Sequence, residues 1–431
     1  MPDLYQRPIA VDLFAGVGGF SLGIEQAGFD VLVAVEQDPV HAAVHSFNFP
    51  RTKVLCADIT KLSGEEIRQA CKGNPIDLVF GGPPCQGFSV MGKRLIDDDR
   101  NDLVFDFYRL VVELRPRYFV MENVPGICQG KHAVYLHRLC EKFVSAGYEI
   151  AKPRVLNAAD FGVPQNRKRL FLLGSRIGEP PLAYPEPSCS SKTTVRDAIA
   201  SLPNLDDFPE LRQTDEVWLN DTQLQQMQVS ASKYAKMLLG LEPDADNFGY
   251  PRQWHNKMLT SSMRTQHSDT SIERFNSLSC GHLEPISRLR RLDWDGLSHT
   301  LRAGTGAGRG RYTSPRPIHP DYPRVISVRE AARLHSFPDW FRFHATKWHG
   351  FRQVGNAVPP MQARAVGRQV INALGIKPPK YVEPMHPLLP LGFAPSNTQL
   401  LRFNLKEAGQ YWKQVKACRS SFTPLYEDTH P

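Results

Sequence analysis

Short apolar runs alternate with amphipathic stretches through residues 8–175. Five of these runs predict β-strands, because each is short and ends near glycine, proline or an acidic residue. In chain order, the five runs are IAVDLFAG, VLVAVEQD, KVLCADI, DLVFGGPP and YFVMENV. Helical stretches lie between them, and Gly28 and Gly147 follow two of these stretches as expected at helix C-termini. The alternation predicts an α/β protein with a mostly parallel, doubly wound sheet, whose site lies at the carboxyl ends of the strands.

The strand–helix alternation stops near residue 176 and returns near residue 322. The intervening region begins with a proline- and serine-rich connection and continues in irregular polar and aromatic stretches. We therefore expect a first α/β segment at 1–177, a smaller irregular domain at 178–321, a returning α/β segment at 322–376 and a C-terminal extension at 377–431. The extension begins too rich in proline for a regular element, and a short helix is expected near LKEAGQYWKQVKA.

Composition and charge narrow the class of protein only slightly. Of the 431 residues, 41% are hydrophobic and 22% are charged, as is usual in globular proteins. No apolar run reaches about 18 residues, so no membrane span is expected, and the N-terminus lacks an apolar signal core. The eight cysteines include no CxxC pair, which argues against a disulfide framework and against a metal site. We expect a cytoplasmic protein, and the net charge of +8 modestly favours a polyanionic partner.

A glycine-rich turn, DLFAGVGGFSLG, follows the first predicted strand. Gly16 and Gly18 allow a tight turn and a close approach of a ligand, but Ser21 stands where a dinucleotide fingerprint requires its third glycine. Glu36 ends the second strand and Asp58 ends the third, where acids can bind a ribose and an adenine amine. The pattern favours a nucleoside ligand without pyrophosphate. A plain glycine turn beside two surface acids is the alternative.

A second group of polar residues follows the fourth and fifth strands. Cys85 lies behind two prolines in GGPPCQGFS, and it is either a rigidly presented nucleophile or a small residue that fills a turn. Glu122 ends the fifth strand, where it could act as a general acid or as a hydrogen-bond clamp. Arg167 and Arg169 alternate in FGVPQNRKRLF, so that both would point to one face of an extended segment. The arginine pair suits a phosphate or a carbonyl oxygen, or it belongs to a solvated basic turn.

Taken together, these motifs resemble the DNA cytosine-5 methyltransferase family of bacterial restriction–modification systems. The matching pieces, in the order usual in that family, are DLFAGVGGFSLG, VEQDP, CADI, GGPPCQGFS, RNDLVFDF, MENVPG, FGVPQNRKRLF, RVISVREAARLHSFPDW and GNAVPP. The resemblance implies a Rossmann-like, S-adenosylmethionine-dependent methyltransferase fold. It also implies that region 178–321 is the target-recognition domain.

The resemblance implies a catalytic role for four residues. Cys85 would add to carbon 6 of a cytosine flipped out of the duplex. Glu122 would hold nitrogen 3 and the exocyclic amine. Arg169 would contact the carbonyl oxygen at position 2, and Arg167 would support the Cys85 side of the site.

The implied methyl donor is S-adenosylmethionine, which would leave as S-adenosylhomocysteine. In this reading Phe14 stacks near the adenine, Glu36 binds the ribose hydroxyls and Asp58 binds the adenine amine. The residues assigned to the cofactor pocket are Phe14, Gly16, Gly18, Glu36, Asp58, Pro84, Leu103 and Asn356.

The implied macromolecular partner is double-stranded DNA, and the net positive charge agrees with it. The candidate DNA contacts are Ser89, Met91, Thr300, Arg302, Arg309 and Arg311. The arginines could bind phosphates or read guanine in the major groove. Met91 could wedge into the base stack, although packing is the favoured interpretation.

Three functions remain as hypotheses at this point. The first is a sequence-specific DNA methyltransferase, acting as a monomer beside a cognate restriction endonuclease and associated with the prokaryotic nucleoid through DNA. The second is a tRNA cytosine methyltransferase on the same scaffold, against which the long recognition region argues. The third is a DNA-binding protein with a relic catalytic domain, which the intact set of catalytic residues disfavours.

Overall fold

A computed structural model describes residues 7–84, 103–188, 191–304, 316–381 and 397–420. Strands are labelled in chain order within these ranges. The first eight are β1 (Ile9–Leu13), β2 (Asp30–Glu36), β3 (Lys53–Cys56), β4 (Leu78–Gly81), β5 (Tyr118–Asn123), β6 (Tyr148–Asn157), β7 (Gln165–Asn166) and β8 (Lys168–Arg176). The short strands that follow are β9 (Val217–Trp218), β10 (Met258–Leu259) and β11 (Ser298–His299).

Seven strands form the central sheet, in the order β3-β2-β1-β4-β5-β8-β6. Strands β1 to β5 pair in parallel, whereas β8 pairs antiparallel with both β5 and β6. The order reverses between β2-β1 and β4-β5, and at such a point the loops after neighbouring strands part to leave a crevice. The prediction of a mostly parallel, doubly wound sheet is confirmed.

The helices are likewise labelled within the described ranges. In the first half they are α1 (Gly19–Ala27), α2 (Pro39–Asn48), α3 (Gly64–Ala70), α4 (Leu103–Leu114), α5 (Lys131–Ser145), α6 (Val195–Ile199) and α7 (Asp221–Val229). They continue with α8 (Lys233–Leu238), α9 (Asp269–Asn276), α10 (Val328–Leu334), α11 (Lys347–Asn356), α12 (Pro360–Leu374) and α13 (Leu405–Ser420). In the described part of the chain, no helix is both long and apolar enough to cross a membrane.

Local sequence explains where several of these helices begin and end. Asp38 caps α2 by accepting backbone N–H groups, and Pro39 occupies the first helical position. Gly28 and Gly375 close α1 and α12 in the left-handed conformation that glycine adopts most easily. Such signals are local, which is why these boundaries follow from the sequence.

Helices cover both faces of the sheet, so its central strands β1, β4 and β5 are buried on both sides. On one face, Phe107 and Phe143 pack against sheet residues that include Phe119. On the other face, α1 and α12 pack together over Phe80, and Val366 belongs to the same apolar cluster. Burial on both faces explains the continuous apolar runs of the strands.

A third apolar cluster lies outside the sheet and draws residues from distant parts of the chain. Val17, Val195, Leu301, Ile326 and Val354 all belong to it. The region between 178 and 321 therefore packs directly against both α/β segments. The domain boundaries themselves stay a prediction.

The C-terminal extension is partly described, as a short 3-10 helix (Asn397–Leu401) and α13. The helix predicted near LKEAGQYWKQVKA is present as α13. Both elements pack on α2, and Trp412 is almost fully buried there.

Candidate active site

A cleft of about 440 Å³ opens at the carboxyl ends of β1, β2, β4 and β5. It lies at the reversal of strand order, where an open α/β sheet binds its ligand. The structure places nine of the predicted site residues in its lining, six from the cofactor set and three from the catalytic set. These are Phe14, Gly16, Glu36, Pro84, Leu103, Glu122, Arg167, Arg169 and Asn356.

Glu122 and Arg169 form an ion pair in this cleft. The Arg169 Nε lies 2.9 Å from the Glu122 Oε1, and both side chains are largely buried. Burial raises the pKa of Glu122, and the positive charges of Arg169 and Arg167 oppose that rise. Burial and two nearby cations therefore act on the proton affinity of this carboxyl group in opposite directions.

The turn after β4 lies against Glu122. A Cβ atom on Gly82 would come within 2.9 Å of the Glu122 Oε2, so glycine leaves room for the carboxylate. The Asn123 side chain donates to the Pro83 carbonyl oxygen at 3.1 Å, which ties the end of β5 to the two prolines. Cys85 follows Pro84 in the sequence and lies outside the described residues.

Arg167 is buried and joins three separate segments. Its guanidinium donates to the backbone carbonyl oxygens of Leu301, Gly355 and Ala357, each at 2.9 Å. Burial lowers the pKa of Arg167 well below its ordinary value, and the nearby Arg169 lowers it further. The hydrogen bonds to the three carbonyl groups offset part of the free-energy cost of burying the charged guanidinium. Arg167 therefore holds the cleft wall together, and its expected support of Cys85 stays a prediction.

The glycine-rich turn presents Phe14 and Gly16 to the cleft. Phe14 has a φ of 66°, a conformation that is rare for a bulky residue and concentrates at functional sites. Gly16 has a φ of 55°, and a Cβ atom there would meet nothing within 4 Å, so the backbone is open to a ligand. The carboxylate of Glu36 accepts the N–H of Gly16 and the N–H of Asp38, both at 2.8 Å. These bonds fix Glu36 at the rim of the cleft.

Two predicted cofactor residues are not part of the cleft lining. A Cβ atom on Gly18 would come within 2.2 Å of the Phe49 ring, so the packing is sufficient to explain glycine at this position without a ligand. Asp58 accepts hydrogen bonds from the N–H and hydroxyl groups of Thr60, although its neighbours Ala57 and Ile59 do line the cleft. The cofactor roles of Gly18 and Asp58 stay predictions.

Sequence reasoning missed three buried polar residues in the cleft lining: Asp12, His41 and Gln353. Within the described part of the chain, their Oδ1, Nε2 and Nε2 atoms respectively have no hydrogen-bond partner. Burial raises the pKa of Asp12 well above its ordinary value, while Ser21 donates to its other oxygen at 2.6 Å. Unpartnered buried polar atoms are costly, so they indicate a polar ligand. An acid inside an apolar strand was the one sequence signal for Asp12.

Comparison with known proteins decides what kind of enzyme this cleft serves. A family model described as C-5 cytosine-specific DNA methylase matches residues 9–372. The chain belongs to this family. It is thus a DNA cytosine-5 methyltransferase, and the family resemblance inferred from the motifs is confirmed.

Individual relatives span most of the methylase. It is 52% identical to the type II methyltransferase M.XorII of Xanthomonas oryzae pv. oryzae over 377 residues, which cover 87% of each chain. It is 33% identical to the type II methyltransferase M1.HphI of Haemophilus parahaemolyticus, with 84% of this chain and 86% of that relative covered. A crystal structure described as a prophage-encoded DNA modification methyltransferase from E. coli superposes with a TM-score of 0.70. The two sequences are 38% identical, and the match covers 85% of this chain and 99% of the chain in that structure.

Region 178–321 meets the cleft through a short strand pair. Strand β11 pairs in parallel with β7, and the Thr300 hydroxyl donates to the Asn166 carbonyl oxygen at 2.8 Å. Arg302 follows and is exposed. Ser89, Met91, Arg309 and Arg311 lie outside the described residues. The parallel pair brings Thr300 and Arg302 close to Arg167, which binds the carbonyl oxygen of Leu301 between them.

Elsewhere in region 178–321, the side chain of Arg291 points inward. It is buried, and it donates to the carbonyl oxygens of Phe275, Leu278 and Pro320. Across the described ranges, the methylase shows no group of three or more histidine, cysteine or acidic side chains that could hold a metal ion.

Proposed function

We propose that this methylase methylates carbon 5 of a cytosine within a specific sequence of double-stranded DNA, through a covalent Cys85 adduct and a flipped base. The Glu122–Arg169 ion pair, beside the two prolines that precede Cys85, carries this proposal. It puts a proton donor and a fixed cation where the ring nitrogen and the carbonyl oxygen of a cytosine would bind.

The order of bond changes explains why these residue types are needed. The Cys85 thiolate adds to carbon 6, while Glu122 gives a proton to ring nitrogen 3, so that carbon 5 becomes an electron-rich enamine carbon. Carbon 5 takes the methyl group, then loses its proton to solvent. The returning electron pair expels the Cys85 thiolate, and nitrogen 3 returns its proton to Glu122. Arg169 stabilises the charge at the carbonyl oxygen and holds Glu122 in place.

The cleft residues fit S-adenosylmethionine as the methyl donor. When bound, this cofactor supplies an electrophilic methyl group on a sulfonium. Phe14, Glu36, Leu103 and Asn356 would hold it, together with the unpartnered acceptor of Asp12. Gly16 leaves its backbone open for close contact with the ligand.

The proposal also covers partners and cellular role. A duplex hides carbon 6, so the target cytosine has to leave the stack to reach the cleft. Thr300 and Arg302 would contact the DNA near the flipped base, with region 178–321 as the recognition domain between catalytic segments 1–177 and 322–376. We propose that the enzyme is a cytoplasmic monomer. Because relatives are named type II methyltransferases, we also propose that it protects host DNA beside a cognate endonuclease.

Methyl transfer and adduct formation test this proposal together. With tritiated S-adenosylmethionine, we expect label in duplex DNA and none in tRNA. The Cys85→Ser variant should lose at least about 10³-fold in rate, because a neutral hydroxyl is a far weaker nucleophile than a thiolate. The matched control Cys128→Ser changes an exposed cysteine and should keep the wild-type rate.

A duplex that carries 5-fluorocytosine separates the covalent step. Fluorine replaces the proton that must leave carbon 5, so the adduct should accumulate as a denaturation-resistant complex with the wild type and not with Cys85→Ser. Label in tRNA alone, or full activity of Cys85→Ser, would overturn the proposal.

A further inference from the structure

The C-terminal segment (397–420) reaches the cofactor cleft through two independent sets of contacts. We propose that it positions the cofactor-binding wall of the cleft, with Trp412 as the principal positioning residue. The inference rests on the proposed cofactor site. None of the family motifs lies in the C-terminal segment.

The first set of contacts runs through Trp412 to the acidic rim of the cleft. The Trp412 indole N–H donates to the Pro39 carbonyl oxygen at 3.0 Å, at the first residue of α2. Asp38 caps α2, and its own N–H donates to the Glu36 carboxylate at 2.8 Å. Asp38 and Glu36 both line the cleft. The indole thereby fixes the start of the helix that holds this rim.

The Trp412 ring also packs behind the glycine-rich turn. It is 5% exposed and shares an apolar cluster with Ala15, Ala34, Ala42 and Val54. Ala15 stands between Phe14 and Gly16 and itself lines the cleft. Loss of the ring would leave a void directly behind this turn.

The second set of contacts runs through His344 to another residue of the cleft lining. Leu401 accepts the backbone N–H of Ala345 at 2.8 Å, and the Phe403 carbonyl oxygen lies 3.0 Å from the His344 Nε2. Because Thr346 donates its N–H to the His344 Nδ1, the proton is assigned to Nε2, which donates to Phe403. Thr346 therefore sets the tautomer of His344, and the C-terminal segment helps to hold the residue in position.

His344 in turn orients Gln353. The backbone N–H of His344 donates to the Gln353 Oε1 at 2.9 Å. The amide nitrogen of Gln353 is then the unpartnered donor in the cleft wall described above. The segment thus supports two separate parts of the cleft lining.

Calorimetric binding of S-adenosylhomocysteine to the full-length protein tests the inference without turnover. Trp412→Phe keeps an aromatic ring but removes the N–H donor. We expect its dissociation constant to rise about three- to tenfold, the range of one lost hydrogen bond. Trp412→Ala should raise it further, and the matched control Trp218→Phe, which changes an exposed tryptophan of the recognition region, should not raise it.

Steady-state kinetics distinguishes positioning from a loss of overall stability. We expect the KM for S-adenosylmethionine to rise while kcat at saturating cofactor stays within about twofold, since Trp412 does not touch the reacting atoms. A Trp412 variant with a lowered melting temperature but an unchanged dissociation constant would show a structural role only and would overturn the inference. Should Trp412→Ala fail to fold, Trp412→Phe decides alone. If the wild type itself fails to bind S-adenosylhomocysteine, the proposed cofactor site is refuted, and the inference is refuted with it. If the wild type binds and the Trp412 variants bind equally well, only the inference is refuted.

Discussion

At the scale of single residues, Glu122 shows how the site sets a proton affinity. Burial favours the neutral carboxyl group and raises its pKa, whereas Arg169 favours the carboxylate and opposes the rise. The same contact with Arg169 fixes the orientation of the side chain. A group that gives a proton to a ring nitrogen and later accepts it back needs such a balance.

Glu122→Gln tests this role because it keeps the shape of the side chain and removes the exchangeable proton. We expect kcat to fall at least about 100-fold, the lower range for loss of a general acid. Affinity for S-adenosylhomocysteine should change little, since the loss is confined to the base-binding part of the cleft. Tritium transfer and calorimetry measure the two quantities. Glu149→Gln, at an exposed position of β6, is the matched control, and a wild-type kcat in Glu122→Gln would exclude the proton-donor role.

At the scale of elements, the glycine-rich turn combines two different requirements. Gly16 needs a left-handed backbone in open space, which suits contact with a ligand. Gly18 needs a left-handed backbone and also lacks room for a methyl group, because the Phe49 ring fills that space. The turn is thus glycine-rich partly for binding and partly for the packing of α1 against α2.

A comparison of Gly18→Ala with Gly147→Ala separates the cost of backbone strain from the cost of steric overlap. Both glycines have similar φ values, 98° and 91°, but a Cβ atom on Gly147 meets nothing within 4 Å. Gly147→Ala should therefore lower the free energy of unfolding by about 1 kcal/mol from backbone strain alone. Gly18→Ala should lower it by about 2–4 kcal/mol, since overpacking adds to the strain. Urea unfolding measures both, and equal losses would argue against the steric account of Gly18.

At the scale of the whole molecule, Arg167 connects region 178–321 to the part of the cleft wall that carries Asn356. One guanidinium binds Leu301, just before Arg302, and also Gly355 and Ala357, which flank Asn356. Gly355 allows this approach, because a Cβ atom there would come within 2.4 Å of Ala303. One buried side chain therefore holds the segment around Leu301 against the cleft-lining segment 355–357.

Arg167→Lys should loosen all three segments at once. Lysine keeps the charge but cannot reach three carbonyl groups with a planar fork, so unpaired groups stay buried. We expect a loss of about 3 kcal/mol in stability and weaker binding of both S-adenosylhomocysteine and duplex DNA. Arg154→Lys, at a more exposed position of β6, is the matched control. Thermal unfolding and calorimetry provide the readouts, and unchanged binding of both ligands would refute the connecting role.

Local sequence signals specify the class of sheet, the strands β1 to β5 and the strand ends at which Phe14, Glu36 and Glu122 lie. Apolar runs, glycine turns and helix caps are local signals, and the carboxyl ends of parallel strands necessarily share one edge. Motif order was sufficient for the family. These parts could be predicted because neighbouring residues specify them.

Which side chains meet across long stretches of chain follows from the folded structure and from no local pattern. The folded structure placed β8 antiparallel between β5 and β6, gave Arg167 partners at Leu301, Gly355 and Ala357, and directed Asp12 and Gln353 into the cleft. It also set Trp412 against Pro39. Periodicity reports which face of an element is buried, but not which distant segment covers it, because that choice depends on packing and hydrogen bonding over the whole fold.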